Sequence, residues 1–338
     1  MNKLLALSEN DRRRLFEEAE AVSRIKARMI EKDFWVCWTL RHLFGLPGAR
    51  DHFIFKGGTS LSKVWRVIHR FSEDIDISLS REWLGFGGER DPEAAPTRKQ
   101  RKIQLEALSA ACAKRLKMEV TPALLEAFSG VLGRGGWTLE SDPDDAQTLL
   151  FAYPSVFGDP IAGMYVRPVV RIECGARSDR WPVAEGVVTP YVAEAFPEAL
   201  PDNASALPVL SIERTFWEKA SILHAEAHRP QEKALPERYS RHYADMAALA
   251  KSEYCARALA LDDLRARVVA HKLVFFPAAW AHSETAVRGT FRLIPPAGRH
   301  EALARDYAAM RDMFFRDPLP WNEILDVLAD LEGRINSL

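Results

Sequence analysis

The sequence predicts an α+β protein, with a sheet-bearing N-terminal half followed by a helical C-terminal half. Three observations carry this. Short apolar runs of strand character, the clearest alternating Ile75, Ile77 and Leu79 with Asp74, Asp76 and Ser78, gather before residue 180. From Val209 onward the apolar period changes to that of helices. A chain of 338 residues, 47% apolar and 10% aromatic, can bury two cores, and the Pro-containing stretch 195–208 is the natural boundary between a domain over 1–205 and a mostly helical domain over 206–338.

The elements follow in order. Residues 9–44 form two helices: Ser8 caps the first, and the second places Ile30, Phe34, Cys37, Trp38 and Leu40 on one face. Glu31, Lys32 and Asp33 read as capping and dipole charges at its start. A short buried strand, 52–55, runs into Lys56-Gly57-Gly58, and Thr59 opens a helix over TSLSKVWRVI. FSEDIDISL, 71–79, is the second strand. GFGGERDPEAAP is a mobile loop by its glycines and prolines. A helix over 97–117 buries Leu105, Leu108, Cys112 and Leu116, and strands follow at 137–140, 147–153 and 165–174. The remaining helices are SIERTFWEKASILHAEAH, RYSRHYADMAALAKS, and segments near 253–271, 300–314 and 320–334. There is no internal repeat and no low-complexity segment.

Composition excludes several classes. Lys plus Arg, 46, balances Asp plus Glu, 47, so no global basic field gathers nucleic acid, and any polyanion contact must come from a local patch. The four cysteines, Cys37, Cys112, Cys174 and Cys255, form no CxxC pair and read as reduced core residues. The N-terminus lacks a signal-peptide core and no apolar run spans a bilayer, which predicts a soluble, cytoplasmic protein with no membrane partner.

Residues two apart in a strand share a face, so Asp74 and Asp76 project together while Ile75 and Ile77 pack behind them. Two such carboxylates repel, and a hard divalent cation, Mg²⁺ or Mn²⁺, is their natural partner. A two-metal arrangement wants a third acid from another strand, and Glu173 in VVRIECG qualifies if the strands adjoin. Its alternative is a salt bridge to Arg171 or Arg177. Upstream, Gly57-Gly58 lets backbone approach a phosphate, with helix N–H groups and the hydroxyls of Thr59 and Ser60 beside it. The bland alternative is a solvent-facing edge strand beside an ordinary turn.

FKGGTSLSKVW, RFSEDIDISL, RIECGARS, ERTFWEKASILH and RYSRHYADM together resemble the DNA polymerase beta-like nucleotidyltransferases, and more narrowly the AbiEii/AbiGii toxin family of bacterial toxin–antitoxin systems. The resemblance, over about residues 25–250, implies a polymerase beta-like sheet with flanking helices and a helical C-terminal domain contributing to the active-site cleft. It implies metal-dependent transfer of a nucleoside monophosphate from an NTP to RNA, at the 3′ end of tRNA, under control of a cognate antitoxin. Asp74, Asp76 and Glu173 would be metal ligands and catalytic. Lys219 and Asp245 would be catalytic, and Lys56, Gly57, Gly58, Thr59, Ser60, Arg238 and Arg241 would hold the nucleotide. The glycine motif reads GGT where the family pattern has GS, which leaves Thr59 and Ser60 as alternatives for the phosphate hydroxyl.

Local physics offers a plainer reading of several of these. Lys219 lies on a helix whose Phe216, Ala220 and Leu223 face inward, where a solvated lysine is common. Arg214 with Glu218, and Arg241 with Asp245, are ordinary i,i+4 pairs. His224 and His228 lack the further ligands a zinc site needs. The helix 97–117 carries seven Lys or Arg against one Glu, suited to an RNA backbone or to an acidic antitoxin. A nucleotide-binding regulator without transfer, or a transferase acting on protein or a small molecule, would share the same pocket.

Overall fold

The computed structural model describes residues 1–158, 167–201 and 203–337. Seven strands, β1 (Phe53–Lys56), β2 (Ile75–Leu79), β3 (Thr138–Ser141), β4 (Thr148–Ala152), β5 (Val169–Gly175), β6 (Val183–Val188) and β7 (Ser205–Leu210), form one mixed sheet in the order β3-β4-β5-β2-β1-β7-β6. β2 therefore sits in the middle, antiparallel to β1 and parallel to β5. The α+β expectation holds, and the acidic strand is central rather than an edge.

The chain parts into two compact units: Met1–Val64 with Phe71–Val209, and Trp65–Arg70 with Leu210–Leu338. The first unit packs the helix Ala27–Phe44 against β4 through aromatic side chains. Trp35 and Trp38 meet Phe151 of β4 at 5.8 and 5.7 Å between centroids. Such contacts add about 0.5–1.5 kcal/mol each beyond the area they bury. Ser8 caps the helix Glu9–Ser23, its hydroxyl accepting from the Asp11 amide. The second unit is built from helices that include Ile212–Ala227, Arg241–Ala250, Asp262–Phe275, His300–Ala309 and Trp321–Ser337. All four cysteines are buried and free. Among the described residues no helix is long and apolar enough to cross a membrane.

Several boundaries differ from expectation. The helix after the glycines ends at Lys63 instead of continuing to residue 68, because Trp65–Arg70 belongs to the other unit. β2 starts at Ile75, so 71–74 lead into it as irregular backbone. The basic helix, Arg98–Arg115, continues through a π turn at Leu116–Val120 into a second helix, Thr121–Leu132. There Pro122, which has no N–H, is tolerated in the first turn. β6 and β7 are absent from the sequence reading: β7, Ser205–Leu210, begins inside the stretch 195–208 read as a linker and runs two residues past it. Residues 165 and 166 of the strand predicted over 165–174 lie outside the described residues.

The charges Glu31, Lys32 and Asp33 do not cap anything. The helix already begins at Ala27, and all three are buried, with exposures of 1%, 3% and 4%. Glu31 accepts from the Ser155 hydroxyl and the Val156 amide, both at 2.7 Å. Lys32 pairs with Glu73. Asp33 pairs with Lys63 at 2.9 Å and accepts from the Tyr191 amide at 2.7 Å, while the Lys63 ammonium lies 3.3 Å from the centre of the Tyr191 ring.

Breaking the Asp33–Lys63 pair from one side leaves a buried ammonium without its counter-charge. Asp33→Asn is therefore expected to cost about 3–5 kcal/mol, read as a lowered midpoint in urea denaturation with the slope unchanged. A loss under about 1 kcal/mol would show that the pair is not what holds this end of the short helix.

Candidate active site

β1 delivers Lys56 to a turn in which Gly57 takes φ +81°, a left-handed conformation that favours glycine. Space enforces the same choice. A Cβ on Gly57 would fall 1.9 Å from Oδ2 and 2.6 Å from Cγ of Asp76, so the carboxylate rests against the bare α-carbon. Thr59 Oγ1 donates to the Asp74 carbonyl at 2.6 Å and lies 3.1 Å from Ser72 Oγ, while Ser60 Oγ donates to the Gly57 carbonyl at 2.8 Å. Both hydroxyls are buried. They fasten turn to strand, which leaves the backbone amides of the helix's first turn as the groups without an intrahelical partner.

The strand register sets Lys56 opposite Asp76, and Asp76 opposite Glu173. The adjacency on which the third acid depended is thus present: Lys56, Asp76 and Glu173 occupy one row across β1, β2 and β5. Asp74, half-buried just before β2, has its pKa pushed up to about 6 by burial and then by the charges of Glu73, Glu173 and Asp76, against the opposing field of Lys32. Glu173 is partly exposed and lies 3.5 Å from Arg171, whose guanidinium binds Asp142 at 2.7 Å. Its arginine is Arg171, not Arg177.

An oxygen-only set of mutually repelling carboxylates fits a hard divalent cation. The acids are not drawn into a cage, however: among the described residues no three His, Cys, Asp or Glu side chains are gathered as a preformed metal site. The expected convergence is one of neighbouring strand positions. Like charges oppose a close approach of the carboxylates, and Glu173 is paired with Arg171.

The second unit holds Lys219 and Asp245. Lys219 is buried rather than solvated, and its ammonium lies 2.7 Å from Asp245 Oδ2. Arg70 binds the same carboxylate through Nε and Nη2, both at 2.8 Å. Burial alone would raise the Asp245 pKa, but the two cations outweigh it and hold the carboxyl far below its ordinary range. Lys219 is lowered by burial, with Asp245 opposing and Arg70 adding repulsion. Two cations share one anion.

This corrects the expected Arg241–Asp245 pair, since Asp245 is taken by Arg70 and Lys219. The expected helical recurrence of Arg238, Arg241 and Asp245 fails as well, because the helix starts at Arg241. Arg238 precedes it with φ +58°, its amide donating to Asp306 at 2.6 Å. Arg214 pairs with Glu218 at 3.1 Å, as its spacing predicts. His224 is buried, with its pKa lowered to about 4 by burial, and its Nδ1 accepts from the Arg292 amide, which leaves no metal pair with His228.

A family profile described as nucleotidyl transferase AbiEii toxin, type IV toxin–antitoxin system, matches residues 38–327. The chain belongs to the AbiEii nucleotidyltransferase toxin family. AbiEii membership makes it a toxin of the nucleotidyltransferase class, for which an NTP, a divalent metal and a partner antitoxin are implied. No curated protein matches the chain significantly. Among solved structures, MenT4, a nucleotidyltransferase toxin from Mycobacterium tuberculosis H37Rv, is similar at 17% identity and a TM-score of 0.45, over 98% of this chain and 88% of that one.

Sequence reasoning gave no site role to Lys32, Glu73, Arg70 or Arg171. For Lys32 a signal existed. It sits between Ile30 and Phe34 on a helix apolar on nearly every side, where a charge survives only with a partner. Arg70 offered none, since its partner is 175 residues away.

Two outcomes are expected. The Asp74 pKa is raised above 3.8, so the folded state holds its proton longer than the unfolded chain, and stability falls as pH rises from about 4 towards 7. In metal-free, NTP-free buffer Asp74→Asn should therefore be more stable than the parent at pH 7, on the order of 1–2 kcal/mol after solvent screening, with the gain vanishing near pH 4. An unchanged thermal midpoint at pH 7 would remove the like-charge account. Gly57→Ala should displace Asp76 and abolish NTP-dependent thermal stabilisation; retained stabilisation would dissociate the turn from nucleotide binding.

Proposed function

We propose that the chain transfers a nucleoside monophosphate from an NTP to RNA, at the 3′ acceptor end of tRNA, with Asp74, Asp76 and Glu173 as the ligands of two divalent ions. The observation that supports this best is the row Lys56–Asp76–Glu173 on adjacent strands, with Asp76 resting against Gly57. Mg²⁺ or Mn²⁺, when bound, neutralises the triphosphate and activates the acceptor hydroxyl.

The protein's own groups do the rest. Gly57 and Gly58 admit a phosphate close to the backbone, and the amides that open the short helix donate to it. Lys56 adds a cation beside the acids. Lys219 offsets charge on the departing β- and γ-phosphates, oriented by Asp245, and Arg238 and Arg241 contact phosphate oxygens. The acceptor oxygen attacks the α-phosphorus, Glu173 takes its proton, and pyrophosphate leaves with the electron pair of the broken P–O bond. Arg98, Lys99 and Lys102, exposed on the basic helix, bind the RNA backbone without reading sequence. A cognate antitoxin restrains the activity.

Incubation of total tRNA with each α-labelled NTP and Mg²⁺ tests the reading. Label is expected on RNA with at least one NTP, and a chelator should remove it. Asp76→Asn should bring label to background while keeping the parental melting profile, and Lys219→Ala should lower the rate about a hundredfold. Undiminished transfer by Asp76→Asn, or unlabelled RNA with every NTP, would sink the proposal.

A further inference from the structure

The second unit contains a cavity of about 510 Å³ that none of the groups above uses. Its walls come from the segment Trp65–Arg70, the helix Arg241–Ala250 with the residues after it, and the stretch 314–319. The Phe315 amide donates to the His69 carbonyl at 2.9 Å, and Arg70 bridges Phe314, so two of these walls are stitched together by backbone.

Two edge-to-face aromatic pairs line it. Trp65 and Tyr254 lie 5.8 Å apart at 75°, and Tyr307 and Phe314 lie 5.5 Å apart at 73°. Trp65, Tyr254 and Phe314 are only half-buried, so their rings remain accessible. The Trp65 indole N–H is buried and finds no acceptor in the protein. Arg66, Lys251 and Arg316 supply exposed positive charge, and His69 lies within the field of Arg316. Glu253 and Asp317 are the acidic members, and Asp317 is already paired with Arg311.

Aromatic faces, an unused ring N–H and an excess of arginine and lysine match the chemistry of a base with its phosphate. The rings stack on the flat base, the N–H meets one of its acceptors, and the cations meet the phosphate. The volume is within the range of small-ligand sites and admits about one nucleotide. An apolar peptide would use the rings but offer no anion to Lys251 and Arg316.

We infer that this cavity is a seat for one unstacked nucleotide, separate from the nucleotide held at the acidic strand. It rests on the RNA-acceptor reading for its source, a single-stranded end of the acceptor; a free mononucleotide has the same chemistry.

The test uses the full chain, a fluorescent single-stranded RNA pentamer, and nucleoside monophosphates, titrated without NTP or metal. Anisotropy should report pentamer binding. The exposed double charge reversal Lys251→Glu/Arg316→Glu, and separately Tyr254→Ala, should weaken it about ten- to a hundredfold. Both variants should keep the parental melting profile and NTP-dependent stabilisation. A pentamer carrying 4-thiouridine should crosslink to the peptides that contain Trp65 or Tyr254.

Binding by monophosphates alone would assign the seat to a free nucleotide. Pentamer binding unchanged in both variants, crosslinks elsewhere, or failure of the parent to bind either probe would overturn the inference. Loss of antitoxin binding with RNA binding intact would overturn it too, marking the cavity as a protein-docking site. The outcomes separate from those of the acceptor reading: a chain that binds the pentamer here but labels no RNA keeps the seat and loses the acceptor, and a chain that labels RNA with both variants unimpaired does the reverse.

Discussion

A carboxylate resting on a bare α-carbon governs the sheet unit. With Asp76 Oδ2 1.9 Å from where a Cβ of Gly57 would be, the turn cannot accept a side chain against the acidic strand. The surrounding bonds hold that contact from both ends. Thr59 fastens the start of the short helix to the Asp74 carbonyl, and Lys63 anchors its far end to Asp33 on the long buried helix. Lys32 on the same helix takes Glu73, which limits the negative charge around Asp74 without removing it. Lys32 and Asp33 of that helix thus brace the segments flanking the glycine turn, while Glu31 holds Ser155 and Val156.

The helical unit solves a different electrostatic problem. One buried carboxylate, Asp245, is paired with both Arg70 and Lys219 inside a low-dielectric environment. An arrangement of this kind costs stability compared with a neutral pair or an apolar core. Arg70 reaches it from a six-residue stretch whose flanking residues on both sides belong to the sheet unit.

The legible parts of the sequence were those where local pattern and partner lie close together. Ser8 capping, the Ile75/Ile77/Leu79 alternation, and the Arg214–Glu218 pair all depend on neighbours within four residues. The Asp76–Glu173 adjacency was a conditional expectation, resolved only by parallel pairing across about a hundred residues. Arg241 illustrates the opposite case. Its spacing to Asp245 satisfies the helix rule, yet Arg70 and Lys219 win the carboxylate because both meet it in a buried setting, where the attraction is less screened. β6 and β7 were invisible for a related reason. SALPVL, with its proline, reads as linker until pairing with β1 satisfies its backbone.

The competing account of the acidic run, an edge strand turning charges to water, fails on position and on energy. β2 lies between β5 and β1, with Ile75, Ile77 and Leu79 wholly buried behind it. A central strand has no open edge for charges to protect. Desolvation and three neighbouring carboxylates raise Asp74 enough that its ionised form opposes folding at neutral pH. A strand chosen for stability alone would not carry that burden, which marks these acids as candidates for a functional role. The proposed divalent cation with its triphosphate would offset that cost while meeting both the carboxylates and the glycine turn, the two constraints that the fold holds in contact.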